Sequence, residues 1–413
     1  MLKQVQNLPY CALLYDQLNA KIVVCFAPRQ RRICRNLNEL NEFLASISAT
    51  SHTLQPAASW GSFGSGWLGY FQYQAGRLQH QADQHLLKSI LAEFNEYECA
   101  IHLNLTDEQA YLANPRSLTS SQLQPYFDLL EQANASVAAE ASSHAWQSAW
   151  DFTKYQSAFQ QVKNYLLAGD CYQVNLAMPF YCNDDLRLHN PMPLLSAFAP
   201  SFGGYFKGQE RTLFSVSPER FINIHGTRIE TRPIKGTVAR GQTPEEDLAN
   251  KTWLAQSSKN QAENLMIVDL LRNDLSHYAA PHTVKVETLF GIETHANVHH
   301  MVSTISAEKA PEVTNAEVIW RAFPGGSITG APKKRAIEII HQLEAEPRQA
   351  YCGSMGFFDD SGYTDFNILI RTIEATAQGA VCWGGGGIVM DSNAEEEWQE
   401  LHTKVRRILD TPL

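Results

Sequence analysis

Lys235 stands in Glu230-Thr-Arg-Pro-Ile-Lys-Gly-Thr237, between Pro233 and Gly236. Proline restricts how the chain arrives, and glycine lets another group come close to the backbone. An amine aimed into a site and held neutral is a covalent nucleophile. A lysine that merely ends a strand is the plainer reading, and Lys235 alone does not decide between them. With an ordinary pKa of about 10.4, a lysine is neutral in roughly one molecule in 2,500 at pH 7. Making it mostly neutral takes a shift of more than ~3 units, or above ~4 kcal/mol. Burial and a neighbouring cation supply such a shift, and Arg232 is the nearest cation in sequence.

Three further segments carry groups that would complete a site for a small anion. Glu397, Glu400 and Lys404 fall at steps of three and four, on one face of a helix. That face would be an ordinary salt-bridged surface but for Trp383-Gly-Gly-Gly-Gly-Ile388 just before it. This run reads as a strand end whose glycines Gly385, Gly386 and Gly387 let backbone N–H groups converge on an oxyanion. Ser392-Asn-Ala-Glu395 has the form of a capping box, which makes Glu395 structural. Glu263, in Gln261-Ala-Glu-Asn-Leu-Met-Ile-Val-Asp-Leu-Leu-Arg-Asn-Asp274, is a carboxylate on a second helix. Two such carboxylates, Glu263 and Glu400, suit a hard cation such as Mg²⁺, which binds substrate oxygen directly. Phe323-Pro-Gly-Gly-Ser-Ile-Thr-Gly-Ala-Pro-Lys-Lys-Arg335 has the glycine spacing of a phosphate loop, but Ala331-Pro332 replace the required Lys-[Ser/Thr]. Nucleotide phosphate is rejected, while the glycines and Thr329 keep donors for a carboxylate. Glu219, His300, Tyr351 and Arg371 are further candidates; a buried Arg371 would need a carboxylate partner.

The elements that position these groups read as a mixture of strands and helices. Strands are predicted at Lys21–Phe26, Trp67–Tyr73, Cys171–Phe180, Leu213–Val216, Phe221–Ile224, Ile368–Glu374 and Val381–Trp383. Tyr155, Phe159, Val162 and Leu166 recur at helical spacing, with Gly169 as the stop. Glu245 to Asp274 reads as a long helical stretch with a break, and Val318–Phe323, Lys334–Leu343 and a final segment from about Ser392 also read as helical. Gln132–His144 is small and polar and reads as a linker or exposed crossover. The resulting class is α/β or α+β, with strands in hairpin-like rather than βαβ order.

Composition excludes several classes. Of 413 residues 44% are hydrophobic and 18% charged, as in a globular protein, and the length allows two or three domains. Met1–Pro9 lacks the apolar core of a secretion signal, and no run of about 18 apolar residues occurs. The eight cysteines are scattered without a C-x-x-C pair, as in a reduced cytoplasmic protein. A net charge of −10, with no basic run beyond Lys333-Lys334-Arg335, argues against nucleic acid. An acidic chain that binds an anion needs local arginines, amides or a metal.

Together the segments resemble the chorismate-utilising enzyme family, in particular its aminodeoxychorismate-forming component I branch. The residues that carry the resemblance are Gly169-Asp-Cys-Tyr-Gln-Val-Asn-Leu176, Ser217-Pro-Glu-Arg-Phe221, Arg232–Thr237, Ala262–Asp274, Phe323–Lys333, Tyr351-Cys-Gly-Ser-Met-Gly356 and Gly384–Val389. They run in order over residues ~150 to 410, while the N-terminal third matches loosely, chiefly at Gly69–Tyr73. The resemblance implies two large, mainly antiparallel sheets packed face to face with helices outside. It also implies an N-terminal region over 1–130, a linker or crossover over 131–149 and a chorismate-binding catalytic domain over 150–413.

Residue roles follow by the same resemblance. Family members that add water carry a lysine base where this chain has Gln173, and anthranilate synthases carry a small residue where it has Lys235. A lysine there resembles the nucleophile that attacks C2 of chorismate as the C4 hydroxyl leaves, before ammonia enters C4. Glu219 would protonate the leaving hydroxyl. Glu263 and Glu400, supported by Glu397, would hold Mg²⁺ against the ring carboxylate. Gly385 to Gly387 and Thr329 would donate to that carboxylate, Arg371 and Tyr351 would grip the enolpyruvyl carboxylate, and Lys404 would balance charge. His300 would face the ring. No cysteine has the Gly-x-Cys-x-Gly-x-Gln setting of a glutaminase nucleophile, so ammonia is expected from a separate amidotransferase subunit. Asn260 departs from the acidic residue relatives often carry there, and Ser276-His277 from their Gly or Ala followed by Arg. Tyr10–Asp16 lacks the Leu-Leu-Glu-Ser form of a tryptophan feedback site, which leaves room only for a structural tryptophan in the N-terminal region. The rivals are anthranilate synthase component I and a catalytically silent chorismate- or tryptophan-binding regulatory subunit.

Overall fold

The computed structural model describes residues 2–49, 63–80, 90–107, 109–135, 142–295 and 298–413. Two antiparallel sheets dominate it, as expected. One has eleven strands, in the order Gly330–Ala331, Gln173–Cys182, Gly379–Ile388, Thr372–Thr376, Thr212–Ser215, Gly203–Lys207, Ala12–Asp16, Lys21–Cys25, Ala100–Asn104 and Ala110–Ala113, with Gln147–Ser148 also on the Gln173–Cys182 strand. The other has ten, in the order Ile234–Ala239, Val298–Glu308, Arg228–Arg232, Arg220–His225, Thr364–Asn367, Ser354–Asp359, Gly66–Phe71, Ala92–Tyr97 and Gln30–Cys34, with Lys285–Thr294 also on Val298–Glu308. Each sheet takes strands from both the first 130 residues and the rest of the chain.

Side-chain alternation builds the layers. In Ala12–Asp16, Leu13 and Tyr15 join the cluster under the helices, while Ala12 and Leu14 join the one between the sheets. Ile22 and Val24 against Val23 and Cys25 repeat the pattern. The inner cluster brings Leu14, Val23, Phe206 and Leu213 of one sheet against Leu68, Tyr70 and Phe357 of the other, with Tyr70 and Phe206 edge to face at 5.4 Å. Helices cover both outer faces: Phe152–Leu167, Lys333–Leu343 and Ala394–Leu409 on the first sheet, Leu37–Ala49, Ser258–Ser276 and Asn315–Ala322 on the second. No helix among the described residues is long and apolar enough to cross a membrane.

Several sequence expectations need revising. The glycines of Gly384–Gly387 lie inside the Gly379–Ile388 strand, paired with Asn175–Met178, and are not a strand end. The Ile368–Glu374 strand begins only at Thr372, because Arg371 takes φ +51°, which ends a ladder. The last helix is capped by Asn393, whose Oδ1 accepts from the Glu395 and Glu396 amides, so Ser392 and Glu395 form no capping box. The long helical stretch breaks at Ser257, which ends Pro244–Gln256 and caps Ser258–Ser276. The Gln132–His144 segment begins inside the Ser120–Ala135 helix, and its 136–141 portion lies outside the described residues.

Candidate active site

Lys235 owes its direction to a bulge. Ile234 pairs with Val302 but Thr237 with His300, so three steps on one strand meet two on the other. A bulge re-aims the side chains it carries. Gly236 makes it affordable: its φ is +87°, and a Cβ there would lie 2.9 Å from both Asn260 Cγ and Leu254 Cδ1, at the junction of the two helices. Lys235 Nζ donates to Ser327 O at 3.4 Å. Burial lowers its pKa, opposed by Glu219 and Glu263, and Lys404 pushes the same way as burial. The tuning cation is therefore Lys404, because Arg232 is engaged with Glu293.

Glu219 faces the same point from the other side. It is buried, and Ser327 Oγ donates to its Oε1 at 2.7 Å. Burial raises its pKa, against the pull of Lys235, Ser327 and Arg371. Its backbone is strapped by Ser217 Oγ at 3.2 Å and by the Ile368 amide at 3.0 Å. Its neighbour Arg220 turns away to Asp365 at 3.0 Å. The environment thus drives lysine and carboxyl toward their neutral forms.

A belt of carboxylates closes one flank. Glu263 comes from the Ser258–Ser276 helix, and Glu397 and Glu400 from Ala394–Leu409. Burial raises the pKa of Glu263 and Glu397, and the Glu400 charge raises both further. Glu400 resists burial through Lys404, which it pairs at 2.7 Å, and its pKa falls. Glu397 accepts from Ser392 Oγ at 2.8 Å, and Lys404 also donates to Gly385 O at 3.3 Å. Among the described residues the three carboxylates do not converge to within 4.8 Å of one another. Their mutual repulsion and all-oxygen donor set nevertheless fit a hard divalent cation.

The Gly379–Ile388 strand supplies a floor that side chains would fill. A Cβ on Gly385 would lie 2.8 Å from the Tyr351 hydroxyl, one on Gly386 3.0 Å from Glu397 Oε2, and one on Gly387 2.9 Å from Gln173 Nε2. Gln173 is 1% exposed and its Nε2 has no hydrogen-bond partner among the described residues. Tyr351 stacks on Trp383 at 5.6 Å, with the planes 8° apart. Arg371 has no carboxylate partner among the described residues, and burial then Arg407 lower its pKa. An arginine in that state is an anion receptor. His300 is buried, shares a proton with Thr237 Oγ1 at 2.8 Å and is pushed down to about 3 by burial and His295, so it is neutral. The Thr329 hydroxyl, expected to serve a ligand, donates to Gly325 O at 3.0 Å.

Sequence reasoning passed over Ser327, although it lies in the quoted glycine loop; its hydroxyl could have been weighed beside that of Thr329. It also passed over Lys259, which acts on all three belt carboxylates, and the buried Glu344–Arg348 pair behind the floor.

The family model for chorismate binding enzymes matches residues 10–410. The chain belongs to that family. Aminodeoxychorismate synthase component 1 of Escherichia coli is 46% identical over 267 residues, 64% of this chain and 58% of that protein. The anthranilate synthase component I-like protein of Synechocystis is 32% identical over 394 residues, 93% of this chain and 79% of that one. The chain thus spans under two thirds of the length of the E. coli relative. Among solved structures, anthranilate synthase component I of Streptococcus pneumoniae shares the fold at TM-score 0.81 and 23% identity, over 95% of this chain and 92% of that one.

Proposed function

We propose that this chain is the large component of an aminodeoxychorismate synthase, which converts chorismate and ammonia into 4-amino-4-deoxychorismate on the route to 4-aminobenzoate and folate. The observation that carries this reading is the placing of Lys235 and Glu219 on either side of Ser327, each driven toward its neutral form. Relatives named aminodeoxychorismate synthase component 1 at 46% identity support it.

The neutral Lys235 amine forms a bond to C2 while the two conjugated ring double bonds each shift by one bond, through C1, C6 and C5, and the C4–O bond breaks. Glu219 gives its proton to that oxygen, which leaves as water, and the resulting carboxylate takes the proton that the lysine nitrogen sheds. Ammonia then bonds to C4, both double bonds shift back, and the C2–N bond breaks as a proton shed by the new C4 nitrogen passes to the departing Lys235 nitrogen. Two allylic displacements put nitrogen at C4. Arg371 and Tyr351 hold the enolpyruvyl carboxylate, and the Gly385 and Gly387 amides, which point away from the Gln173–Cys182 strand, face the ring carboxylate. Glu263, Glu400 and Glu397 hold Mg²⁺, which when bound neutralises that ring carboxylate. Gln173 cannot act as a base, so water is not activated.

Ammonia comes from a partner amidotransferase. All eight cysteines are buried, and burial pushes the thiols of Cys352 and Cys382 up to about 12, far from a thiolate nucleophile.

The test is incubation of the purified chain with chorismate, Mg²⁺ and ammonium, with the product identified by mass, beside Lys235→Ala. Aminodeoxychorismate from the unmodified chain, with a loss of at least ~100-fold in the variant, is expected. Anthranilate as product, or no turnover, would overturn the reading.

A further inference from the structure

The Gln173–Cys182 strand carries the site at one end and an unrelated cluster at the other. Cys182 Sγ, His144 and Asp184 offer ligand atoms all within 4.8 Å of one another. Cys182 is 3% exposed and the His144 side chain 8%. His144 Nδ1 lies 2.8 Å from Asp184 Oδ2, and the Asp184 amide points at Cys182 Sγ at 3.4 Å. A second imidazole stands against the first: His189 meets His144 edge to face at 5.1 Å, and its Nδ1 is buried without a partner. From these residues we propose a transition-metal site of the zinc class, with Cys182, His144 and Asp184 as the three converged ligands and His189, whose ring nitrogens stand outside that 4.8 Å group, as the side chain that turns in as the fourth.

The chemistry of the set agrees. Thiolate, imidazole and carboxylate in one tetrahedron select a borderline-soft ion such as Zn²⁺, and its donors sit roughly 3.5 Å apart. This mixed set differs from the all-oxygen carboxylate belt of the active site. His144 Nε2 lies 3.2 Å from Ser142 Oγ, an outer hydrogen bond that holds the ring with Nδ1 toward Asp184.

The site would be a clamp. Gln147 and Ser148 pair with Tyr181 and Phe180, and Ser142 exchanges backbone hydrogen bonds with Leu413 at 3.0 and 3.2 Å. A metal bound to His144 and Cys182 would pin this segment, with Leu413, to the Gln173–Cys182 strand.

Cobalt(II) is the probe, added to the full chain after treatment with chelator and reductant. The expected result is one equivalent bound, with a near-ultraviolet thiolate-to-cobalt absorption that zinc displaces. Cys182→Ser should abolish that absorption while ammonium-dependent turnover of chorismate persists. His144→Ala and His189→Ala should each weaken cobalt binding at least ~10-fold, which keeps the test open if the cysteine variant folds poorly. No thiolate absorption in the unmodified chain, its survival in Cys182→Ser, or unchanged affinity in both histidine variants would overturn the site. Cobalt held by the belt carboxylates lacks that absorption.

Discussion

Glu219 and Lys235 meet through a single residue: Ser327 donates its hydroxyl to the carboxyl at 2.7 Å and accepts from Lys235 Nζ at its carbonyl at 3.4 Å. Side chain and backbone of one loop residue thus space the proposed acid from the proposed nucleophile. Because only the hydroxyl serves Glu219, the two can be separated by mutation.

Ser327→Ala removes the donor that favours the charged carboxylate and leaves the carbonyl under Lys235 in place. The Glu219 pKa, already raised by burial, should rise further. Activity needs Glu219 protonated and Lys235 neutral, so the acid limb of the pH profile reports Lys235 and the alkaline limb Glu219. The variant should lose roughly 10-fold in kcat and move its alkaline limb to higher pH, with the acid limb much less changed. An alkaline limb that stays put, or moves down, would remove Glu219 from the acid role.

His300 should dominate part of the acid sensitivity of the fold. Its pKa is about 3 in the folded chain against about 6.5 unfolded, so the unfolded state binds the proton first. Stability is then complete above pH 6.5 and declines as pH falls toward 3. His300→Gln should cut the loss between pH 6.5 and 4 by about 3 kcal/mol, read from urea unfolding at each pH. Parallel pH curves for the two proteins would show that His300 is not the group responsible.

The chemistry of the site was more legible in the sequence than its geometry. Lys235 and Glu219 stand out beside proline or glycine, the Gly385–Gly387 run by its composition and Glu263 as a carboxylate on a second helix, and the structure gathers them. What stayed hidden depends on side-chain direction across distant segments. The reading gave the loop donor to Thr329, yet that hydroxyl turns back to Gly325 O while Ser327 faces Glu219. Ser392 has the spacing of a cap, but Asn393 takes that role and Ser392 binds Glu397 instead. Arg232 adjoins Lys235 in sequence, but strand alternation sends it to Glu293. Alternating strands were readable for the two sheets; the strand order was not, since it depends on pairings hundreds of residues apart.

Gly386 offers a probe of the carboxylate belt that leaves the belt residues in place. It lies in an ordinary strand conformation, and an added Cβ would sit 3.0 Å from Glu397 Oε2 and 3.8 Å from Lys404 Nζ. Glu397 must then give by a few tenths of an ångström. Gly386→Ala should raise the Mg²⁺ concentration for half-maximal activity about 3- to 10-fold, in line with displacement of a metal-supporting carboxylate. An unchanged Mg²⁺ requirement, with turnover intact, would argue that Glu397 has no part in holding the ion.

Behind the floor, Glu344 and Arg348 are 2% and 1% exposed in their side chains and paired at 2.7 Å. Arg348 donates to Asn175 O at 2.7 Å and Ile328 O at 3.2 Å, and Glu344 accepts from the Ala177 amide at 2.9 Å. The pair therefore ties the strand that carries Gln173 to the loop that carries Ser327. Removing one partner leaves a buried charge uncompensated, which costs about 3–5 kcal/mol, whereas removing both does not. Glu344→Gln and Arg348→Met should each destabilise by that order, and the double variant by much less than their sum. Denaturant unfolding of the four proteins measures the coupling. Strict additivity would mean that the two side chains stabilise the site separately, and that the Ser327 loop is held in place by its own contacts.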